Sequence, residues 1–166
     1  MVDVYVGAGS NIAPAEHLRH AVAALEERFG PVRRSDVYRS PSFGFRGADF
    51  LNMVIAFPTD RPADDVEREL YDIEYEGGRV RRGERFSSRT LDLDLMLFGV
   101  AVDPGRRLPR EDVRRYPFVL APLAELAPAL RHPLTGCTLD DEWRRMRERE
   151  RGGIVLERLG PLDEVP

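Results

Sequence analysis

Apolar and polar residues alternate with a period of two between residues 89 and 99. Leucine occupies each odd position from 91 to 97, and the even positions between them include Asp92 and Asp94. Successive side chains of a β-strand point to opposite faces, so this pattern predicts a strand with its leucines on a buried face. Both carboxylates then lie together on the other face.

Apolar spacings elsewhere predict three further strands and two helices ahead of this strand. The strands are predicted at Val2–Val6, Val32–Tyr38 and Phe50–Phe57, and the helices at Ala15–Phe29 and at Pro62–Tyr75, the second with Asp60 as its N-cap. The resulting order, β-α-β-β-α-β, is typical of the ferredoxin-like arrangement. That arrangement is an α+β fold with an antiparallel sheet and helices on one face.

A turn and a C-terminal extension complete the predicted architecture. The run Gly7-Ala8-Gly9-Ser10-Asn11 predicts a tight turn that ends the first strand, because glycine and asparagine favour turns. Beyond Gly99 the pattern predicts an irregular extension with helices at Phe118–Leu126 and Asp140–Glu150 and a short strand at 154–156. The length of 166 residues suits one domain, spanning 1–166.

Composition narrows the class of protein. The net charge of −4 argues against a nucleic-acid partner. No apolar run approaches the roughly 20 residues that span a membrane. The single cysteine, Cys137, and a start without the pattern of a secretory signal favour a reducing compartment. We therefore expect a cytoplasmic protein without nucleic-acid or membrane partners. We also expect a monomer.

Arginine supplies all 25 basic residues of the sequence, and lysine is absent. This excludes a P-loop lysine, a Schiff-base lysine and a Ser-Lys dyad in this chain. Any phosphate is therefore bound by arginine, by a metal ion or by backbone amides.

The two aspartates of the alternating strand are a candidate Mg²⁺ site. Side chains two residues apart lie about 6.5–7 Å apart along a strand, and Mg²⁺ binds one or two carboxylates together with substrate phosphates. A glycine- and arginine-rich segment at 77–89 precedes them and suits a lid over a triphosphate. The alternative is an edge strand with solvated aspartates next to a solvated charged loop.

Three aromatic residues and one amide are candidates for binding a flat heterocycle. Phe43, Phe50 and Phe118 can supply a stacking slot, and Asn52 has both the donor and the acceptor that an amidic ring edge needs. The alternative for each phenylalanine is packing in the core.

Several short motifs occur in an order and spacing that resemble those of a known family. In chain order they are Gly9-Ser10-Asn11, Tyr38-Arg39-Ser40-Pro41, Phe50-Leu51-Asn52, Ile73-Glu74, Gly78-Arg79-Val80-Arg81, Arg89-Thr90-Leu91-Asp92-Leu93-Asp94 and Phe118-Val119-Leu120-Ala121-Pro122-Leu123. Together they resemble the 6-hydroxymethyl-7,8-dihydropterin pyrophosphokinases of folate biosynthesis, from the first strand to about Pro128. The string at 89–94 is the most specific part.

The resemblance implies transfer of pyrophosphate from ATP to the pterin hydroxymethyl group, with release of AMP. It implies that Asp92 and Asp94 hold two Mg²⁺ ions and that Arg79 and Arg89 grip the phosphates. The implied pterin pocket comprises Ser40, Pro41, Phe43, Phe50, Asn52 and Phe118, with Phe50 and Phe118 on either side of the ring. The implied ATP contacts are Glu74, Arg81, Arg85, Phe86, Leu95, Arg107 and Arg110.

The sequence departs from the family pattern most seriously at two places, whereas Phe50 and Phe86, where the family often has tyrosine and tryptophan, keep an aromatic ring. Arg110 stands where the family usually has a histidine that contacts an ATP phosphate, and Tyr116-Pro117 replaces an expected arginine. A guanidinium keeps its charge and forms a fork, so Arg110 can take over the phosphate contact. The alternative is a divergent paralogue that binds pterin or nucleotide with little or no catalysis.

Overall fold

The computed structural model describes residues 1–42, 45–77 and 91–166. Its strands are β1 (Val2–Ser10), β2 (Arg33–Arg34), β3 (Val37–Ser40), β4 (Phe50–Thr59), β5 (Asp92–Phe98) and β6 (Glu157–Gly160). Its α-helices are α1 (Pro14–Phe29), α2 (Ala63–Glu76), α3 (Asp112–Arg115), α4 (Pro117–Leu126) and α5 (Leu139–Arg149). Short 3₁₀ helices lie at Pro104–Arg106 and Leu162–Glu164.

The described strands form one sheet in which every pairing is antiparallel. The order is β5-β1-β4-β3-β6, and β2 also pairs with β4. The predicted β-α-β-β-α-β order and the α+β class are confirmed. The predicted strand Val32–Tyr38 is divided into β2 and β3 because the Ser35 hydroxyl replaces a backbone carbonyl as acceptor for the Val54 amide, over 2.9 Å.

Helices cover both faces of this sheet. On the first face, Leu18 and Leu25 of α1 and Ile73 of α2 belong to a core cluster with Val4 and Ile55 of the strands. On the second face, α4 and α5 contribute a separate cluster, whose members include Leu120, Leu123, Met146, Tyr5 and Val54. Both helices of the predicted β-α-β-β-α-β core, α1 and α2, therefore lie on one face as expected. The C-terminal extension covers the second face, because α4 is apolar enough to bury most of its surface.

A β-bulge in β5 interrupts the alternation that identified this strand. Val6 pairs with Leu95 and Tyr5 pairs with Leu97, so Met96 is an extra residue on β5. Leu97 consequently joins Met96 in the second-face cluster, whereas Leu95 remains in the first. The prediction that all four leucines share one face is wrong for Leu97.

The remaining differences concern where elements begin and end. Strand β1 continues through Gly7, Gly9 and Ser10, so the predicted turn there is wrong. The N-cap of α2 is Pro62 rather than Asp60. The last strand, β6, begins after the short strand predicted at 154–156. Among the described residues, no helix combines the length and the apolarity needed to cross a membrane.

Candidate active site

A row of residues on β5, β1 and β4 builds the floor of a cleft on the second face, and β3 lies next to it. Asp92 pairs with Gly9, Gly9 pairs with Asn52, and Asn52 pairs with Tyr38. Asp94 pairs with Gly7 in the next row of the same face. Residues directly opposite each other in a sheet point to the same face. The side chains of Asp92, Asp94 and Asn52 therefore all face the cleft, and only glycines of β1 lie between the two aspartates and Asn52.

The two glycines of β1 keep this floor open. A Cβ added at Gly7 would collide with the Met96 side chain, and one at Gly9 would lie 3.2 Å from Asn52 Oδ1. A side chain at either position would also project into the space between the acids and Asn52. These glycines are site residues that the sequence analysis interpreted as a turn, although their spacing of two was the signal that they share a strand face.

The cleft has a volume of about 500 Å³ and runs from the aromatic residues near β3 to the acids of β5. Eleven predicted site residues are described by the structure, and all eleven line it. They are Ser40, Pro41, Phe50, Asn52, Glu74, Asp92, Asp94, Leu95, Arg107, Arg110 and Phe118. Their individual roles stay predictions.

Six further predicted site residues lie outside the described residues. They are Phe43, Arg79, Arg81, Arg85, Phe86 and Arg89. The lid predicted at 77–89 falls there as well, apart from Gly77, which ends α2.

Carboxylates crowd the β5 end of the cleft. Burial, together with the negative charges of Asp92, Glu74 and Asp112, raises the pKa of Asp94, and the Arg110 guanidinium opposes this rise. Glu74 is 5% exposed and accepts a hydrogen bond from the Leu93 amide over 2.7 Å. A bound cation would relieve the repulsion among these groups.

The acid pair fits a magnesium ion better than a metal with an all-protein ligand set. Within the described ranges, no group of three or more His, Cys, Asp and Glu side chains could hold a metal ion. Asp92 and Asp94 offer two carboxylates, and Mg²⁺ usually keeps several waters and takes its other ligands from substrate phosphates.

Arg110 contacts the acid pair directly. Its Nη2 lies 3.2 Å from Asp94 Oδ1, and its Nε donates to Asp112 Oδ2 over 3.0 Å. Asp112 therefore belongs to the site. No spacing in the sequence indicated it, because the contact depends on the loop between β5 and α3.

Aromatic rings and an oriented amide form the opposite end. Phe118 stacks on Tyr116 with ring centroids 5.1 Å apart, and Phe45 meets Phe50 edge-on at 6.2 Å. Asn52 donates from Nδ2 to Ser40 Oγ over 2.9 Å, which directs Oδ1 towards Gly9. Tyr116 and Phe45 also line the cleft, and the sequence analysis did not assign them to it.

Comparison with known proteins gives a consistent set of relatives. The family model described as 7,8-dihydro-6-hydroxymethylpterin-pyrophosphokinase matches residues 5–128. A protein of Pseudomonas aeruginosa named 2-amino-4-hydroxy-6-hydroxymethyldihydropteridine pyrophosphokinase is 41% identical over 138 residues, covering 78% of this chain and 83% of its own. Proteins of the same name from Synechocystis and Bacillus subtilis are 37% and 33% identical, covering 81% and 89% of this chain and 71% and 92% of their own.

Solved structures share the fold at low sequence identity. The crystal structure of wild-type Plasmodium falciparum HPPK-DHPS matches with a TM-score of 0.73 at 9% identity and covers 94% of this chain. The match covers 48% of that longer protein, so the present chain spans about half its length.

Proposed function

The chain belongs to the 7,8-dihydro-6-hydroxymethylpterin-pyrophosphokinase family, and we propose that its glycine-floored cleft is where the reaction of that family takes place. The enzyme transfers pyrophosphate from ATP to the hydroxymethyl group of 6-hydroxymethyl-7,8-dihydropterin, a step of folate biosynthesis. The hydroxymethyl group releases its proton to water as its oxygen bonds to the β-phosphorus. The bond from the β-phosphorus to the oxygen that bridges it to the α-phosphorus breaks. AMP leaves with that oxygen.

One observation carries the proposal: an aromatic end and an acidic end share one cleft. Asn52 and Asp92 face the same space from either side of Gly9, with no side chain between them. A heterocycle held beside Asn52 would then lie next to phosphates held beside Asp92, as a transfer between two bound substrates requires.

At the aromatic end, Phe50 and Phe118 bind the two faces of the pterin ring. The hydrogen bond to Ser40 fixes the orientation of the Asn52 amide, which forms hydrogen bonds with the polar edge of the ring. Pro41 lines the same end of the cleft. Rings that are already packed on Tyr116 and Phe45 lose little freedom when the substrate binds.

At the acidic end, Asp92 and Asp94 hold two Mg²⁺ ions together with the ATP phosphates. Bound magnesium neutralises the charge that develops on those phosphates. Glu74, Leu95, Arg107 and Arg110 surround the nucleotide, and Arg79, Arg81, Arg85, Phe86 and Arg89 are assigned to it on the resemblance alone. The chain's own contribution is to orient ATP so that its β-phosphorus faces the pterin hydroxyl.

An assay of AMP release from ATP, 6-hydroxymethyl-7,8-dihydropterin and Mg²⁺ tests the proposal. Wild type should release AMP only when the pterin is present, and D92N and D94N should each lower kcat by about a hundredfold or more. R114M, a substitution at an exposed residue of α3, is the control for a general change of surface charge. Equal rates in wild type, D92N and D94N would contradict the assignment. Pterin binding without AMP release would instead favour the divergent paralogue.

The wider setting of the enzyme follows from the same features. We propose a single domain, because both core clusters pack on the same sheet. We also propose that it acts as a monomer without membrane partners. The net charge of −4 supports the absence of a nucleic-acid partner, and the lone cysteine supports a cytoplasmic setting.

A further inference from the structure

Arg110 is fixed beside β5 at three points. Its backbone amide donates to the Met96 carbonyl over 2.9 Å, which ties this loop to the bulge of β5. Its Nε donates to Asp112 over 3.0 Å, and its Nη2 lies 3.2 Å from Asp94 Oδ1. The Arg110 side chain is 22% exposed and that of Asp94 is 28% exposed, so water screens this ion pair only in part.

This ion pair holds a positive charge 3.2 Å from one oxygen of the carboxylate that a divalent cation would bind. A guanidinium stays protonated in proteins, so Arg110 cannot withdraw its charge by titration. Two positive charges around one partly buried carboxylate repel each other strongly. A cation can therefore bind Asp94 tightly only when Arg110 turns to another anion.

We propose that Arg110 is a positioning residue that competes with the divalent cation for Asp94, so that the cation binds tightly only together with the nucleotide. The nucleotide phosphates offer the guanidinium a stronger partner than the carboxylate it gives up. The coupling is reciprocal, because whatever the nucleotide adds to cation affinity, the cation adds to nucleotide affinity. This inference rests on the proposed function, in which Asp94 is a magnesium ligand.

Binding of Mn²⁺, measured from the electron paramagnetic resonance signal of the free ion, tests the competition. R110M keeps an apolar stem and removes the charge, so it should bind Mn²⁺ alone at least about tenfold more tightly than wild type. R110K keeps the charge, so its affinity for Mn²⁺ should be closer to that of wild type than the affinity of R110M is. R114M removes a charge from α3, where Arg114 lies on the exposed side, and should leave the affinity within about twofold.

The same measurement with α,β-methylene-ATP tests the coupling. The ratio of Mn²⁺ affinities with and without this analogue should be at least about tenfold smaller in R110M than in wild type. An unchanged affinity of R110M for Mn²⁺ alone overturns the proposal, whatever the analogue does. If D94N loses Mn²⁺ binding in that case, the magnesium site stands and only the competition is refuted. If D94N binds Mn²⁺ like wild type, the magnesium site of the proposed function fails too.

A second measurement uses the wild-type protein and does not depend on the folding of R110M. The side-chain Nε–Hε resonance of Arg110 reports on its contact with Asp112. It should shift when Mg²⁺ and α,β-methylene-ATP are added together and should stay in place at the same concentration of Mg²⁺ alone. A resonance that shifts equally in both titrations contradicts the proposal.

Discussion

The carboxylate of Glu74 accepts a hydrogen bond from the backbone amide of Leu93 over 2.7 Å, between the two aspartates of the site. Because β5 is an edge strand, this contact satisfies an amide that faces away from the rest of the sheet. Glu74 therefore links α2 to the strand that carries the acid pair.

Replacing Glu74 tests this link. E74A leaves the Leu93 amide without its carboxylate and should lower the free energy of unfolding by about 1–3 kcal/mol. E74Q keeps an acceptor oxygen at the same place, so it should lower the free energy of unfolding by less than E74A does. Urea unfolding of both variants measures the difference, and equal losses would show that the hydrogen bond does not stabilise β5.

A side chain at Gly9, in the floor of the cleft, should weaken pterin binding. G9A adds a methyl group 3.2 Å from Asn52 Oδ1, and overpacking of this kind costs about 1–3 kcal/mol. We expect KM for the pterin to rise by about tenfold or more, since each 1.4 kcal/mol is a factor of ten. KM for ATP in the same variant is the internal control. A larger rise in KM for ATP than for the pterin would contradict the assignment of the pterin site beside Asn52.

The stack of Phe118 on Tyr116 should contribute to pterin binding through its ring. F118L keeps the apolar volume but loses the aromatic pairing, which is worth about 0.5–1.5 kcal/mol beyond the buried area. KM for the pterin should rise by about three- to tenfold. F118Y is the matched control, because it keeps the ring, and it should stay within about twofold of wild type. Equal kinetics in all three proteins would assign Phe118 to packing alone.

His132 should make the C-terminal part of the fold sensitive to acid. Its Nδ1 accepts a hydrogen bond from the Leu134 amide over 3.2 Å, and burial together with the nearby Arg114 lowers its pKa. The unfolded chain takes up a proton below the ordinary pKa of 6.5 before the folded protein does, so stability should fall as the pH drops through this range.

The variant H132N isolates this effect. The asparagine oxygen can accept from Leu134 without titrating, so the stability of H132N should depend less on pH between 7 and 5. Denaturant unfolding at several pH values compares the two proteins. Parallel pH profiles would mean that His132 does not contribute to acid sensitivity.

Most strands and helices could be predicted because their patterns are local. The apolar spacing of α1 and the alternation of β5 are visible within about ten residues of sequence. The bulge at Met96 could not be predicted, because it depends on how Tyr5 and Val6 pair with β5. The position of α4 on the second face depends in the same way on tertiary packing.

The candidate site was predicted largely through specific motifs. Asp92, Asp94 and Asn52 have side chains that suggest their chemistry, whereas Gly7 and Gly9 contribute by having none. Their role depends on the register of three strands, which a single strand pattern does not contain. The pairing of Arg110 with Asp94 joins residues from a strand and a distant loop, and it could not be predicted from spacing.

The last strand has a consequence for solubility. Strand β6 pairs with β3 and becomes the sheet's outer edge on that side, where Glu157 and Arg158 present charged, exposed side chains. Without β6, the backbone of the strand that carries Ser40 would be open to pairing with a neighbouring molecule. Charged edge strands oppose such pairing, so β6 protects this edge of the sheet against aggregation.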